Sequence, residues 1–232
     1  MSIIAEKIEQ VVRQIKQFCE DSQRKPDDVT LLAVSKTRST DEIREAFHQG
    51  LHCFGENYVQ EAVGKIVELS DLPIEWHFIG PLQSNKTRQV AESFAWVHSV
   101  DRLKIAQRLS EQRPSNLPAL NVCLQVNIDD EQSKSGCHPD EALALARQIA
   151  ELPHLRLRGL MAIPAPTDDP VQQHRAFKAV AELSEQLKRA GLPLDTLSMG
   201  MSSDLEAAIA EGSTLVRVGT ALFGARPVKS VE

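Results

Sequence analysis

The chain has 232 residues, 42% of them hydrophobic and 25% charged, the composition of one large globular domain or two small ones. Its 26 basic and 32 acidic residues leave a net charge of −6, which argues against a nucleic-acid partner, because neutralising phosphates needs a basic surface. No apolar run approaches the roughly 20 residues of a membrane span, and "MSIIAEKIEQVV" mixes charge into an amphipathic pattern rather than forming a signal peptide, so no membrane contact and a cytoplasmic location are expected.

Ile4, Ile8, Val11, Ile15 and Phe18 recur near the helical period and predict an opening amphipathic helix over residues 3–18. Short apolar runs then alternate with helical patterns. The predicted strands are VTLLAVSK (29–36), LHCFG (51–55), EWHFIG (75–80), AWVHSV (95–100), LNVCLQVNI (120–128), LRGLMAI (157–163), DTLSMG (195–200) and TLVRVG (214–219). They are nearly continuous in apolar residues, as strands covered on both faces are. Between them, STDEIREAFHQG pairs Ser39 with Glu42 at capping-box spacing and stops at Gly50. DRLKIAQRLSEQRP opens on Asp101 and closes before Pro114, and HPDEALALARQIAEL offers Pro139 as a first helical position. PVQQHRAFKAVAELSEQLKRAG aligns Val180, Leu183 and Leu187 on one face, and SDLEAAIAEG repeats the capping box with Ser203 and Glu206.

Strict strand–helix alternation predicts a parallel sheet. Eight units fit an α/β fold of the (β/α)8 TIM-barrel kind, typically about 250 residues long. The opening helix, extra to the eight units, is placed to complete the last one; a doubly wound open sheet is the alternative. With no Pro/Gly/Ser-rich linker, residues 1–232 read as a single domain, with an N-terminal helix in 1–25 and a tail over 226–232. Cys19, Cys53, Cys123 and Cys137 form no CxxC pair and read as reduced thiols, and Cys137 beside His138 does not make a metal site.

In such a barrel the site lies at the C-terminal ends of the strands. There stand Lys36, Glu56, Asn57, the segment GPLQSNK, Asn127, SMGMSSD and RVGTALFG. Lys36 closes an apolar run, where an amine is costly unless exposed, paired or chemically used. It reads either as a snorkelling or ion-paired lysine or as an amine that forms a Schiff base with a carbonyl compound. GMSSDLEAA and RVGTALFGA follow strands seven and eight, where barrels often hold phosphate. Ser202, Ser203, Gly219 and Thr220 suit an anion there, although Ser203 also reads as a helix cap and Gly200 and Gly219 as turn residues. Arg217 reads as a barrel ion pair, with Glu56 for example, or as a fixed cation facing a ligand. A lysine facing a phosphate turn is what pyridoxal phosphate needs, and a cofactor-free Schiff-base aldolase would need the same parts.

The segments LLAVSKT, FGENYVQE, WHFIGPLQSNK, SKSG, LRGLMAIP, LSMGMSSDLEAAI and RVGTALFGAR, in this order from about residue 5 to 226, closely resemble the YggS/PROSC-like pyridoxal phosphate homeostasis proteins, single barrels similar to the N-terminal domain of alanine racemase. The resemblance implies pyridoxal 5'-phosphate held as a Schiff base on Lys36. It implies phosphate contacts from Ser202, Gly219 and Thr220, with Gly200 and Ser203 in the same turns. Asn57 and Met199 are implied beside the ring, and Arg217 is implied at the pyridine nitrogen, which a permanent cation leaves unprotonated. His77, Gln83, Asn85 and Lys86 are expected around the mouth, and Lys134 is a candidate second aldehyde-reactive amine or an exposed loop lysine. The racemase-type relatives add a β domain that brings a catalytic tyrosine. This chain ends just after its eighth strand and its one tyrosine is Tyr58, so a cofactor holder without a second catalytic base is expected. The alternative is a racemase of low activity. The expected partners are pyridoxal phosphate and, beyond it, apoenzymes that require the cofactor, with the chain itself a monomer.

Overall fold

Eight parallel strands close into a barrel in chain order, with β1 (Thr30–Val34) pairing both β2 (Cys53–Glu56) and β8 (Leu215–Val218). Between these run β3 (Glu75–Phe78), β4 (Trp96–Val100), β5 (Leu120–Val126), β6 (Leu155–Ala162) and β7 (Thr196–Ser198). The structure, a computed structural model, describes residues 2–129 and 135–225. The helices are α1 (Ile3–Asp21), α2 (Thr40–His48), α3 (Val59–Glu68), α4 (Thr87–Ser93), α5 (Leu103–Gln112), α6 (Ala142–Ala150), α7 (Pro170–Arg189), α8 (Leu205–Ala210) and α9 (Thr220–Phe223). All eight expected strands form, and the open-sheet alternative falls to the β1–β8 pairing. Because α9 is a single turn, α1 packs against α2, α8 and α9 and fills the last helical position of the ring.

Local chemistry explains most boundaries. The Ser39 side chain accepts from the Glu42 N–H, and the Glu42 carboxylate accepts from the Ser39 N–H, so α2 begins on a complete capping box. The helix ends where Gly50 takes φ +93°, open to glycine without strain. Two expectations are corrected. Ser203 does not cap α8: Asp204 occupies that position, and its carboxylate accepts from the Met201 N–H at 2.5 Å, shaping the preceding turn instead. Asp101 does not open α5, whose N-cap is Arg102. Pro139 opens a 3-10 turn, Pro139–Glu141, that leads into α6.

The main core lies between sheet and helices and includes Phe54, Phe78, Phe94, Ile105, Leu109 and Phe177. Burying each such side chain contributes about 1.5–3 kcal/mol. Inside the barrel the apolar packing splits into two small groups, Leu32–Ile79–Leu215 and Trp96–Cys123–Met161. A column of polar side chains runs between them, where barrels usually stack branched apolar residues. All four cysteines are free thiols. Burial pushes Cys53, Cys123 and Cys137 up to about 12 and raises Cys19. A disulfide-exchange reagent at mildly alkaline pH is therefore expected to react slowly with the folded protein and with all four thiols once it is unfolded, because the thiolate is the nucleophile. Rapid labelling of the folded chain would contradict this burial.

Candidate functional site

Lys36, expected as the last residue of the first strand, stands two residues beyond its end. β1 ends at Val34, the Ser35 N–H extends the ladder to Gly55 O at 3.0 Å, and Lys36 sits half-buried in the turn that follows. The next residue, Thr37, has φ +65°, a conformation a β-branched residue adopts only when its surroundings impose it. The surroundings are on hand. The Thr37 N–H donates to the Glu61 carboxylate at 2.6 Å, and the Arg38 N–H donates to Ser35 O at 3.0 Å. Lys65, on α3, donates to Ser35 O and to Glu56, each at 2.8 Å, and to Glu61 at 2.5 Å, while the Ser35 hydroxyl donates to Glu56 at 2.7 Å. A buried ionic cluster thus clamps both sides of the lysine turn.

That cluster also settles the partner of Glu56. Gly55 lies against Leu32 inside the barrel, so alternation turns Glu56 outward to the helices, where Lys65 waits. Arg217 points inward, on the other face of the sheet, so of its two readings the ion pair exemplified by Glu56 does not form. Arg217 instead donates to Ser198 O at 2.7 Å, to the Ser198 hydroxyl at 2.8 Å and to Ala162 O at 3.0 Å. Burial lowers its pKa to about 10, with Asp204 opposing, so it stays a cation at neutral pH.

At the C-terminal mouth of the barrel a cleft of about 360 Å³ gathers these groups. Its polar wall comprises Lys36, Asn57, Ser202, Ser203, Arg217 and Thr220, with Gly219 at the start of α9; Val34, Ile79, Ile163 and Met201 supply the apolar wall. Asn57 Oδ1 is buried with no hydrogen-bond partner, an acceptor that a ligand's donor would satisfy. Gly80 brings the following loop onto Asn57: a Cβ there would lie 2.2 Å from Asn57 O. A second cleft of about 200 Å³ adjoins, sharing Asn57, Ile79 and Ile163 and adding Gln125 and Ser135.

One residue expected at the ring, and two expected nearby, lie elsewhere. Met199 is fully buried in the outer core, because Ser198 takes the inward position of β7 and alternation sends Met199 outward. Met201 lines the cleft in its place. Gly200 contributes its carbonyl to the Arg217 N–H at 3.0 Å and lies behind the wall. His77 is not at the mouth but buried inside the barrel, near the N-terminal ends of the strands. Gln83 and Asn85 are exposed and Lys86 half-buried, all outside the cleft, and Tyr58 is 54% exposed at the N-cap of α3. Lys134 lies outside the described residues.

Barrel topology and a mouth carrying one lysine, one buried arginine and a hydroxyl cluster define a (β/α)8 barrel of the alanine racemase N-terminal-domain type; residues 4–227 match the family described as "Alanine racemase, N-terminal domain". The chain is 63% identical over 226 residues to a pyridoxal phosphate homeostasis protein of Pseudomonas aeruginosa, covering 97% of each, and 54% identical over 229 residues to one of Escherichia coli, covering 97% of this chain and 98% of the other. PipY of Synechococcus elongatus, solved with pyridoxal phosphate bound, superposes with TM-score 0.83 at 40% identity, over 95% of this chain and 100% of PipY. An alanine racemase of Corynebacterium glutamicum shares the fold, with TM-score 0.73 at 19% identity, over 99% of this chain and 63% of the racemase. The chain belongs to the pyridoxal phosphate homeostasis protein family.

Proposed function

We propose that this protein binds pyridoxal 5'-phosphate in the mouth cleft, holds it reversibly on Lys36 and so contributes to the cell's supply of the cofactor and its amino-acid and keto-acid balance. The observation that carries this reading is the convergence of Lys36, Arg217 and the hydroxyls of Ser202, Ser203 and Thr220 on one cleft. The relative PipY, solved with the cofactor, supports it. When bound, the cofactor supplies an aldehyde that condenses with a lysine amine to a Schiff base. The chain's own residues do the rest. Ser202, Ser203, Thr220 and the backbone at Gly219 receive the phosphate, Val34, Ile79, Ile163 and Met201 exclude water from the ring, and Arg217 keeps a positive charge beside the ring nitrogen. That charge leaves the nitrogen unprotonated and weakens the ring as an electron sink.

The same reading makes the protein a holder rather than a racemase. Moving a proton from one face of a substrate to the other needs a second acid–base group. The one tyrosine, Tyr58, is exposed and outside the cleft. A reversible link suits storage and release to apoenzymes that require the cofactor. The test is direct: the purified chain is incubated with pyridoxal phosphate, its visible spectrum recorded, and the product reduced with borohydride and mapped by peptide mass. A visible band and a reduced adduct on Lys36 are expected. A colourless protein, or an adduct distributed over surface lysines, would overturn the assignment.

A further inference from the structure

Five polar side chains cross the inside of the barrel in an unbroken line. Glu75 Oε1 lies 3.0 Å from His77 Nε2, and His77 Nδ1 lies 2.9 Å from His98 Nε2. His98 Nδ1 lies 2.8 Å from Ser198 Oγ, which accepts from Arg217 at 2.8 Å. The line starts at a cleft of about 520 Å³ on the N-terminal face of the barrel, lined by Glu75 and His77, and ends at the arginine in the wall of the mouth cleft. His77, His98 and Ser198 are buried, at 1%, 0% and 0% exposure. His77 is further fixed by stacking on Trp96, with ring centroids 5.3 Å apart and planes 7° from parallel.

The two ends give the line a direction. The Glu75 carboxyl, held low chiefly by its hydrogen bond with His77, is ionised and only accepts, so His77 Nε2 carries the proton. Burial disfavours the charged form of both imidazoles. Neutral His77 therefore accepts at Nδ1 from the His98 Nε2–H. Neutral His98 accepts at Nδ1 from the Ser198 hydroxyl. Ser198 Oγ accepts from Arg217, which can only donate. Each atom has one role, and reversing any link would leave a buried donor facing a donor or a buried lone pair facing a lone pair, which is costly away from water.

We propose that Glu75, His77, His98 and Ser198 are positioning residues for Arg217: a one-way hydrogen-bond chain that holds the guanidinium as the fixed cation of the cofactor cleft and couples that cleft to the opposite face of the barrel. The proposal rests on reading the mouth cleft as the pyridoxal phosphate site. The arginine is held at one edge by both the hydroxyl and the carbonyl of Ser198 and at its other terminal nitrogen by Ala162 O. With its proton held by His98, the Ser198 hydroxyl keeps its lone pairs turned to Arg217, and His77, by accepting the His98 Nε2–H, favours the tautomer in which His98 Nδ1 accepts from Ser198.

Nitrogen-15 NMR of histidine-labelled protein without cofactor tests the chain by itself: His77 and His98 are both expected as neutral Nε2–H tautomers at neutral pH. Either ring found as the Nδ1–H tautomer or as a cation overturns the proposal. A second arm tests the consequence. His98→Phe, which keeps the bulk and removes both polar contacts, is expected to shift the visible band of the loaded protein and weaken pyridoxal phosphate binding about fivefold, the equivalent of one net hydrogen bond. His98→Gln, which offers an acceptor and a donor, should restore much of both, and Met161→Leu, inside the barrel but off the chain, should change only thermal stability. If His98→Phe does not fold, Ser198→Ala carries the same expectation for band and affinity. Unchanged band and affinity in the folded variant overturn the coupling. If the parent itself takes up no pyridoxal phosphate, the cofactor reading fails and the coupling with it, whereas a parent that loads normally beside an indifferent variant sinks the coupling alone.

Discussion

Replacing Lys36 by alanine is expected to abolish the visible band and the borohydride-trapped adduct and to weaken pyridoxal phosphate binding on the order of a hundredfold, with most of the loss in a faster off-rate. The fold should survive. Lys36 lies in a half-buried turn whose shape is set by its neighbours, through the Ser35–Glu56, Lys65–Ser35 and Thr37–Glu61 hydrogen bonds. Removing its side chain leaves those bonds in place. What remains for the cofactor is non-covalent: the hydroxyls of Ser202, Ser203 and Thr220, the charge of Arg217 and the apolar wall. Equilibrium dialysis at several cofactor concentrations, run beside a thermal melt, measures both expectations. A Lys36→Ala protein that melts like the parent and keeps its affinity and spectrum would show that the amine at this turn does not hold the cofactor.

Lys36 was legible because a charge at the end of an apolar run is an anomaly in a single strand. The barrel was legible because eight short runs alternate with helical patterns, and parallel strands buried on both faces leave that signature. What the sequence hid was which way each side chain points. Met199 and Met201 look equivalent in SMGMSSD and alternation would give them the same face, but only Met199 follows it against the helices. Met201 lies beyond the end of β7, in a turn bent by Gly200 at φ +95° and held by the Asp204 carboxylate, which brings it to the cleft. The same alternation separates Glu56 from Arg217 across the sheet. His77 and His98 are 21 residues apart and meet only because β3 and β4 pair with His77 level with Trp96, leaving His98 one inward position further along. Period two marks both as inward, but it does not give the register between two strands. Lys65 was the least legible of the site's supports. It sits on a helix with charged neighbours and reads as a solvated lysine, yet it is 7% exposed and bonded to three groups that frame the lysine turn.

Lys65→Met should destabilise the protein by about 3–5 kcal/mol at neutral pH, because it strands the Glu56 carboxylate at 0% exposure without its cation. The loss should depend on pH in one direction. Burial raises the pKa of Glu56, while the charge and hydrogen bond of Lys65, with the Ser35 hydroxyl, pull it back down. Removing Lys65 takes away the first two of those opposing effects, so the pKa climbs further. A carboxyl whose value is raised on folding binds its proton more tightly in the folded state. Its stabilising contribution is then complete below the ordinary carboxylate range and is lost as pH rises through the raised value. The variant should therefore lie closest to the parent near about pH 5 and furthest from it near about pH 7, as read by denaturant unfolding of both proteins at each pH. A deficit equal at the two pH values would show that Glu56 is not the stranded charge. Adding Glu56→Gln to Lys65→Met removes that charge and should return much of the lost stability, since an uncompensated buried ion costs more than the pair contributes. Function should not follow stability back. Without Lys65 the Ser35 carbonyl keeps only the Arg38 N–H as a donor, and the side-chain clamp on that side of the turn that presents Lys36 is gone. The double variant is thus expected to unfold nearly like the parent while binding pyridoxal phosphate more weakly, which would separate the cluster's duty to the fold from its duty to the lysine.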